Sequence, residues 1–308
     1  MTEPIRDSEL FVTDGKIYHL GLRPDQLARN IFVVGDPARA DKVAAHFDSL
    51  EYRANNREFV TITGVYHGMP VTVIATGIGT DNNEIALVEA FGLNEFDLET
   101  RMKKESTKPL TIIRVGTSGG PQVDIDIGTL AISTYGLGLD NTGLFYEQEA
   151  ADGTSTIIEE EAYRIITNAT PSDRRFKGKI HPYVSRASPK VALALQRNMG
   201  HDQVSGITMS SSGFFAPQGR EIPGLEVTIP RLQEHLATLN VGGHRIVNIE
   251  MESSLLFHLA RKMGYRCGTV CPIIANRPAG TFLADYSSAV EQAIEGSLKA
   301  MLELYSED

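Results

Sequence analysis

Ile31-Phe-Val-Val-Gly-Asp-Pro-Ala-Arg39 is the stretch that decides the fold class. Four consecutive apolar residues stopped by Gly35-Asp36 read as a buried strand running into a turn. Pro37 suits the first position of a helix, Asp36 its cap, and Ala38 to Phe47 carries helical spacing. The same alternation continues along the chain. Phe59–Tyr66 and Met69–Ala75 are β-rich and joined by His67-Gly68, a hairpin signal. Asp81-Asn-Asn-Glu84 caps a helix through Ala90, and Thr111–Val115 is a strand ending in Gly116-Thr-Ser-Gly-Gly120. Further strands are expected at Gly128–Tyr135, Gly206–Ser211, Arg245–Ile249 and Arg266–Ala275. Helices are expected at Ser188–Met199, Met251–Met263 and Ser287–Leu304. Strands separated by helices imply an α/β fold, a mixed central sheet covered by helices on both faces. Glu95–Lys108 and Gly136–His181, charged or rich in Gly, Thr, Asp and Glu, read as surface insertions. No repeat or linker divides the chain, so residues 1–308 are expected to form one domain.

The composition narrows the function. The chain has 308 residues, 42% hydrophobic and 22% charged, with a formal charge of -10. An acidic chain argues against nucleic-acid and anionic-membrane partners, though a few arginines can still build an anion pocket. No apolar run approaches the roughly 18 residues that span a bilayer, and Met1–Leu10 lacks the apolar core of a signal peptide. Cys267 and Cys271, in an apolar run, read as buried free thiols and fit a reducing cytoplasm. The eight histidines form no zinc-binding pair, so no metal is expected.

Three polar turns fall at carboxyl ends of strands, where α/β sheets gather ligands. In Gly35-Asp-Pro-Ala-Arg39, backbone N–H groups, a helix start and Arg39 can meet an anion. In Arg114-Val-Gly-Thr-Ser-Gly-Gly120, an arginine interrupts an apolar strand and needs an anionic partner, while Thr117 offers a hydroxyl. In Asn248-Ile-Glu-Met-Glu252, two carboxylates where a strand becomes a helix could grip sugar hydroxyls. Each has a plain alternative: a capped turn, a structural ion pair for Arg114, and a solvated helix start for Glu250 and Glu252. Their coincidence at one expected edge carries more than any one of them.

These stretches occur in an ordered set: HLGL at 19–22, GDPAR at 35–39, REF at 57–59, ATGIG at 75–79, RVGTSGG at 114–120, EMES at 250–253 and ANR at 275–277. The set resembles the nucleoside phosphorylase superfamily. Within it, Phe214-Phe-Ala-Pro-Gln-Gly-Arg220 is most similar to the uridine phosphorylases, which carry a Gln and an Arg at this spacing. An amide offers donor and acceptor, and a guanidinium donors only, which suits the edge of uracil.

The resemblance implies a reversible phosphorolysis of uridine to uracil and ribose 1-phosphate. Gly35, Arg39, Arg114 and Thr117 would bind phosphate, joined by Arg57 from a neighbouring subunit. His19, also from the neighbour, with Glu250, Met251 and Glu252 would hold the ribose. Phe214, Gln218, Arg220, Ile274 and Arg277 would form the base side, with Gln218, Arg220 and Arg114 carrying the catalysis. The resemblance thus implies a homo-oligomer with shared sites. No organic cofactor is implied, phosphate being a substrate. A shared potassium ion is known from some relatives. Glu58 fits it, but Asn82 stands where those relatives have Ser. Ala216-Pro217 also departs from the more usual Pro-Gly. Other base specificities, deoxyuridine, thymidine or a purine nucleoside, or a water-using nucleosidase, remain alternatives. The cluster Arg39, Arg57 and Arg114 argues against water as the nucleophile.

Overall fold

The computed structural model describes residues 3–307; the first two residues of the polar start, and Asp308, lie outside them. A two-stranded ribbon, β1 (Val12–Thr13) and β2 (Lys16–Ile17), precedes the main sheet. Then follow β3 (Asn30–Val34), α1 (Pro37–Ala44), β4 (Ser49–Asn56), β5 (Phe59–Tyr66), β6 (Met69–Ala75) and α2 (Thr80–Glu95). The middle holds β7 (Thr111–Val115), β8 (Ser118–Gly120), β9 (Leu130–Gly138), α3 (Gly153–Ala169), β10 (Tyr183–Arg186) and α4 (Pro189–Asn198). The last third holds β11 (Gln203–Ser210), α5 (Leu232–Leu236), β12 (Asn240–Val241), β13 (His244–Glu250) and α6 (Ser253–Lys262). It ends with β14 (Arg266–Asn276), β15 (Thr281–Phe282) and α7 (Ser287–Ser306).

The α/β expectation holds. One mixed sheet runs β10-β9-β11-β13-β8-β14-β7-β3-β6-β5-β4, with helices packed on both faces. Residue alternation in β3 shows why. Ile31 and Val33 pack with Leu87 and Ala90 of α2 and Leu255 of α6, whereas Phe32 and Val34 pack with Ala40 of α1, Val191 of α4 and Leu298 of α7. A strand with helices on both sides has no polar face to show, hence the unbroken apolar run. Asp36 caps α1 as expected, accepting from the Ala38 N–H at 2.9 Å. The β5–β6 hairpin turns at His67-Gly68, both at positive φ (47° and 79°), the backbone of a two-residue hairpin turn.

The sheet also closes on itself. β9 pairs with β11 on one side and with β14 on the other, so β9, β11, β13, β8 and β14 form a ring. β8 follows β7 along β14, and β13 runs antiparallel to β8 through Ile249 opposite Gly119. The carboxyl end of β13 therefore returns to the carboxyl end of β7. That return brings the Glu250 turn to the Arg114 turn.

Three expectations need correction. α2 is capped by Gly79 at φ 96°, not by the Asp81 cluster; Asp81 lies in the first turn and accepts from the Thr142 hydroxyl at 3.0 Å. Gly136–His181 is not merely a surface insertion. Its first residues complete β9, and α3 buries Ile158, Ala162, Ile165 and Ile166 against Leu137 and Met209 of the sheet. Glu95–Lys108 clamps the start of the chain. Leu98 joins the core under α2, and the Ile5 N–H donates to the Arg101 carbonyl at 2.9 Å.

Candidate active site

The three polar turns meet in one cavity of about 350 Å³. Gly35 and Arg39 come from the β3–α1 turn, Arg114 and Thr117 from β7 and its turn, and Glu250, Met251 and Glu252 from the β13–α6 turn. Phe214, Gln218 and Arg220, from the loop after β11, and Ile274, from β14, complete it. Eleven of the residues singled out by sequence thus line a single hollow.

Arg114 is its electrostatic centre. The strand alternation that buries Ile113 and Val115 on one face turns Arg114 to the other, where it has an anionic partner on two sides. Its Nη1 lies 3.0 Å from Glu250 Oε2, and its Nη2 pairs with Glu252 Oε2. Nη1 also donates to the Cys271 Sγ at 3.2 Å. Burial by itself would discharge the guanidinium; the charges of Glu252 and then Glu250 outweigh it and hold its pKa above the ordinary arginine value. Gly116 leaves room for this arrangement. A Cβ there would fall 2.0 Å from Arg114 Nη1 and 2.7 Å from Cys271 Sγ. The structural carboxylate alternative for Arg114 is therefore real, and it coexists with a cavity-facing position.

The two glutamates are held differently. Glu250, expected beside a sugar, commits its carboxylate to protein donors: the Ser210 hydroxyl, the Glu252 and Ser253 N–H groups at 3.1 Å, and Arg114. Glu252 has fewer partners, the Gly79 N–H at 2.7 Å and Arg114. Burial pushes the Glu252 carboxyl up; Arg114 pulls it down, and Glu250 pushes it up again, leaving it above the usual carboxylate range. Arg39 is also buried. Its Nη1 donates to the Val115 carbonyl at 3.3 Å, and burial followed by the charge of Arg114 lowers its pKa.

The loop after β11 carries the amide and guanidinium pair. Gln218 is buried, and its Oε1 accepts from Arg220 Nη1. The Arg220 guanidinium also lies 3.8 Å from the centre of the Phe214 ring, while its Nη1 donates to the Phe214 carbonyl. Burial, followed by the charge of Arg277, lowers its pKa to about 10. Arg277 does not line the cavity. It donates to the carbonyls of Gln218 and Gly219, and so ties the loop to the end of β14.

His19 and Arg57 stand outside the cavity of their own chain, next to each other in structure. The Asn56 amide donates to the carbonyls of Tyr18 and His19 at 2.8 Å, and the Arg57 guanidinium lies 5.5 Å from the centre of the Tyr18 ring. His19 Nδ1 is 2.7 Å from Glu89 Oε1, which fixes the ring. Sequence reasoning gave no role to Gly79, Cys271 or Ser210, which hold Glu252, Arg114 and Glu250. ATGIG at 75–79 was a signal for the first; a small polar residue at a strand end is too common to mark the third. Cys267 and Cys271 are both buried free thiols, as expected, and burial pushes Cys271 up to about 11.

Residues 29–304 match the family model described as the phosphorylase superfamily. The chain is 31% identical over 274 residues to a uridine phosphorylase of Thermococcus kodakarensis, covering 87% of this chain and 80% of that one. It is 26% identical to the uridine phosphorylase of Escherichia coli strain K12 over 92% of this chain and 98% of that protein. A solved nucleoside phosphorylase of Trypanosoma brucei, described as showing uridine phosphorylase activity, superposes with a TM-score of 0.84. It is 31% identical, and the match covers 96% of this chain and 99% of that one.

Proposed function

The chain belongs to the phosphorylase superfamily, and we propose that within it the protein is a uridine phosphorylase, a pentosyltransferase that converts uridine and phosphate to uracil and ribose 1-phosphate. One observation carries this reading. A single cavity is lined both by Arg39 and Arg114 with Gly35 and Thr117, and by Gln218 with Arg220. The first group suits a phosphate, the second the edge of a pyrimidine.

In this mechanism Arg39, Arg114, the Thr117 hydroxyl and the Gly35 backbone hold phosphate against C1′ of the ribose. Met251 packs on the sugar, and Glu252 accepts from its 2′ and 3′ hydroxyls. Phe214 and Ile274 flank the base. As the C1′–N1 bond stretches, the ribose becomes oxocarbenium-like and negative charge collects on the uracil oxygens. Donors on Gln218 and Arg220 oppose that charge, and phosphate oxygen closes on C1′. No covalent enzyme intermediate or cofactor enters the scheme. Arg57 and His19 of a neighbouring subunit would complete the phosphate and ribose ends, which makes the protein a homo-oligomer. Ile78, 70% exposed at the cavity rim, and Phe11, 52% exposed beside Tyr18, support burial of both regions by a partner copy. No helix among the described residues is long and apolar enough to cross a membrane, and we place the enzyme in the cytoplasm on its buried free thiols.

A nucleoside panel assayed with and without phosphate tests the reading. Uracil release from uridine should require phosphate. Equal release without it would identify a nucleosidase, and faster turnover of inosine would identify a purine enzyme.

A further inference from the structure

Arg114 sits between two carboxylates that are held unequally. Glu250 receives three donors besides the arginine: the Ser210 hydroxyl and the backbone N–H groups of Glu252 and Ser253. Glu252 receives one, the Gly79 N–H. Both side chains are almost wholly buried, 1% and 5% exposed, and both line the cavity. A carboxylate accommodates about four hydrogen bonds. Withdrawing Arg114 leaves Glu250 well satisfied and Glu252 nearly bare, and a bare buried charge is costly.

Resting on the phosphorylase reading above, we propose that Glu252 is an exchangeable partner of Arg114 that couples the phosphate and ribose subsites, while Glu250 is a fixed positioning residue for Arg114. The exchange balances in hydrogen bonds. Ribose brings two hydroxyl donors to Glu252, and phosphate brings acceptor oxygens to Arg114 Nη2. Nucleoside alone completes Glu252, whose Gly79 N–H, arginine and two ribose hydroxyls fill its roughly four positions. Phosphate alone draws the arginine from a buried carboxylate with one remaining donor. Together the two ligands leave neither group short, so each strengthens the other. Glu250 holds Nη1 throughout and keeps the guanidinium aimed into the cavity.

Calorimetric titration with inorganic sulfate, a non-transferable stand-in for phosphate, tests this on the intact protein. Saturating sulfate should raise the affinity for uridine about tenfold, a coupling in the usual range, and that for uracil by less than about twofold, because uracil has no ribose. Glu252→Gln, a neutral amide that releases Arg114, should cut the uridine coupling below about threefold while sulfate still binds. Glu250→Gln should keep the coupling and weaken sulfate itself. Melting temperatures establish that each variant is folded. The proposal is overturned if sulfate leaves wild-type uridine affinity unchanged, if uracil gains as much as uridine, or if Glu252→Gln retains the full coupling. Failure of the base assignment looks different: inosine would then bind in place of uridine and show the same coupling, since the exchange involves only the ribose. If no nucleoside binds with or without sulfate, the phosphorylase reading falls and this proposal falls with it.

Discussion

An arginine in an apolar strand has to be compensated, and Arg114 is compensated twice. That pairing gives Arg114→Ala two separable effects. The phosphate KM should rise at least about tenfold, the cost of losing a charged hydrogen bond in a dry pocket, while uridine binding without phosphate survives better than in Arg220→Ala. Initial rates over a phosphate series and direct titration of uridine decide between them. On the proposed assignment of Arg220 to the uracil edge, Arg220→Ala should act mainly on kcat, because charge there would grow only as the glycosidic bond breaks. The second effect is on stability, about 3 kcal/mol at neutral pH, because two buried carboxylates lose their cation. Its pH dependence has a definite sign. Without Arg114 the Glu252 carboxyl lies further above its unfolded pKa. Such a group favours the folded state below the unfolded value and costs stability as pH climbs through the folded one. The melting-temperature deficit against wild type should therefore widen as pH rises from the ordinary carboxylate range toward and past neutrality. A deficit that stays flat over this range would count against burial of the pair. The need for an anion at Arg114 was legible in the sequence; which anion was not, because the partners come from a strand over a hundred residues away.

At the scale of elements, the loop after β11 is the part whose placement matters most. It has little regular structure, a 3-10 turn at Ala216–Gln218 and an isolated bridge between Ile222 and Leu225, and Arg277 fastens it by two carbonyls. Arg277→Ala should raise the uridine KM roughly tenfold through a displaced Gln218 and Arg220, with the phosphate KM nearly unchanged. Steady-state kinetics in both substrates give the answer; equal losses in both KM values would mean that Arg277 supports the fold rather than the loop. Elements differed in how far their residues announced them. β3 and β7, buried on both faces, are plain apolar runs. β4, the sheet's edge, reads Ser-Leu-Glu-Tyr-Arg-Ala-Asn-Asn and is mostly exposed, so only its pairing with β5 makes it a strand. α3 has Ile158, Ala162, Ile165 and Ile166 at helical spacing and an Asp152 cap, but Thr and Glu on its outer face give the segment the composition of a loop.

For the whole molecule, the sharpest test is of subunit sharing. Mixing an inactive Arg57→Ala protein with an inactive Arg220→Ala protein, under conditions that exchange subunits, should restore activity through sites that draw each residue from an intact copy. No recovery after demonstrated exchange, or full activity from a sedimenting monomer, would place both residues in one chain's site. The sequence conveyed the α/β alternation and the ordered turns. It did not convey the closure of the sheet, because a ring depends on which strands pair, and alternation along each strand is the same whether its neighbours form a row or a circle.

The ring has a further consequence for how the molecule is made. β14, residues 266–276, is its last strand in the chain, and pairs with β7, β8 and β9. During synthesis those three strands emerge well before their common partner. Until it leaves the ribosome, their ladder groups face water or another nascent chain, and the Arg114 and Glu250 turns have no frame to hold them together. A chain that stalls after Glu252 therefore contains most of the side chains that line the cavity but no cavity, and presents strand edges that invite association with its neighbours on the polysome. Release of residues 253–308, rather than synthesis of the site residues before them, is the event that turns this polypeptide into a catalyst.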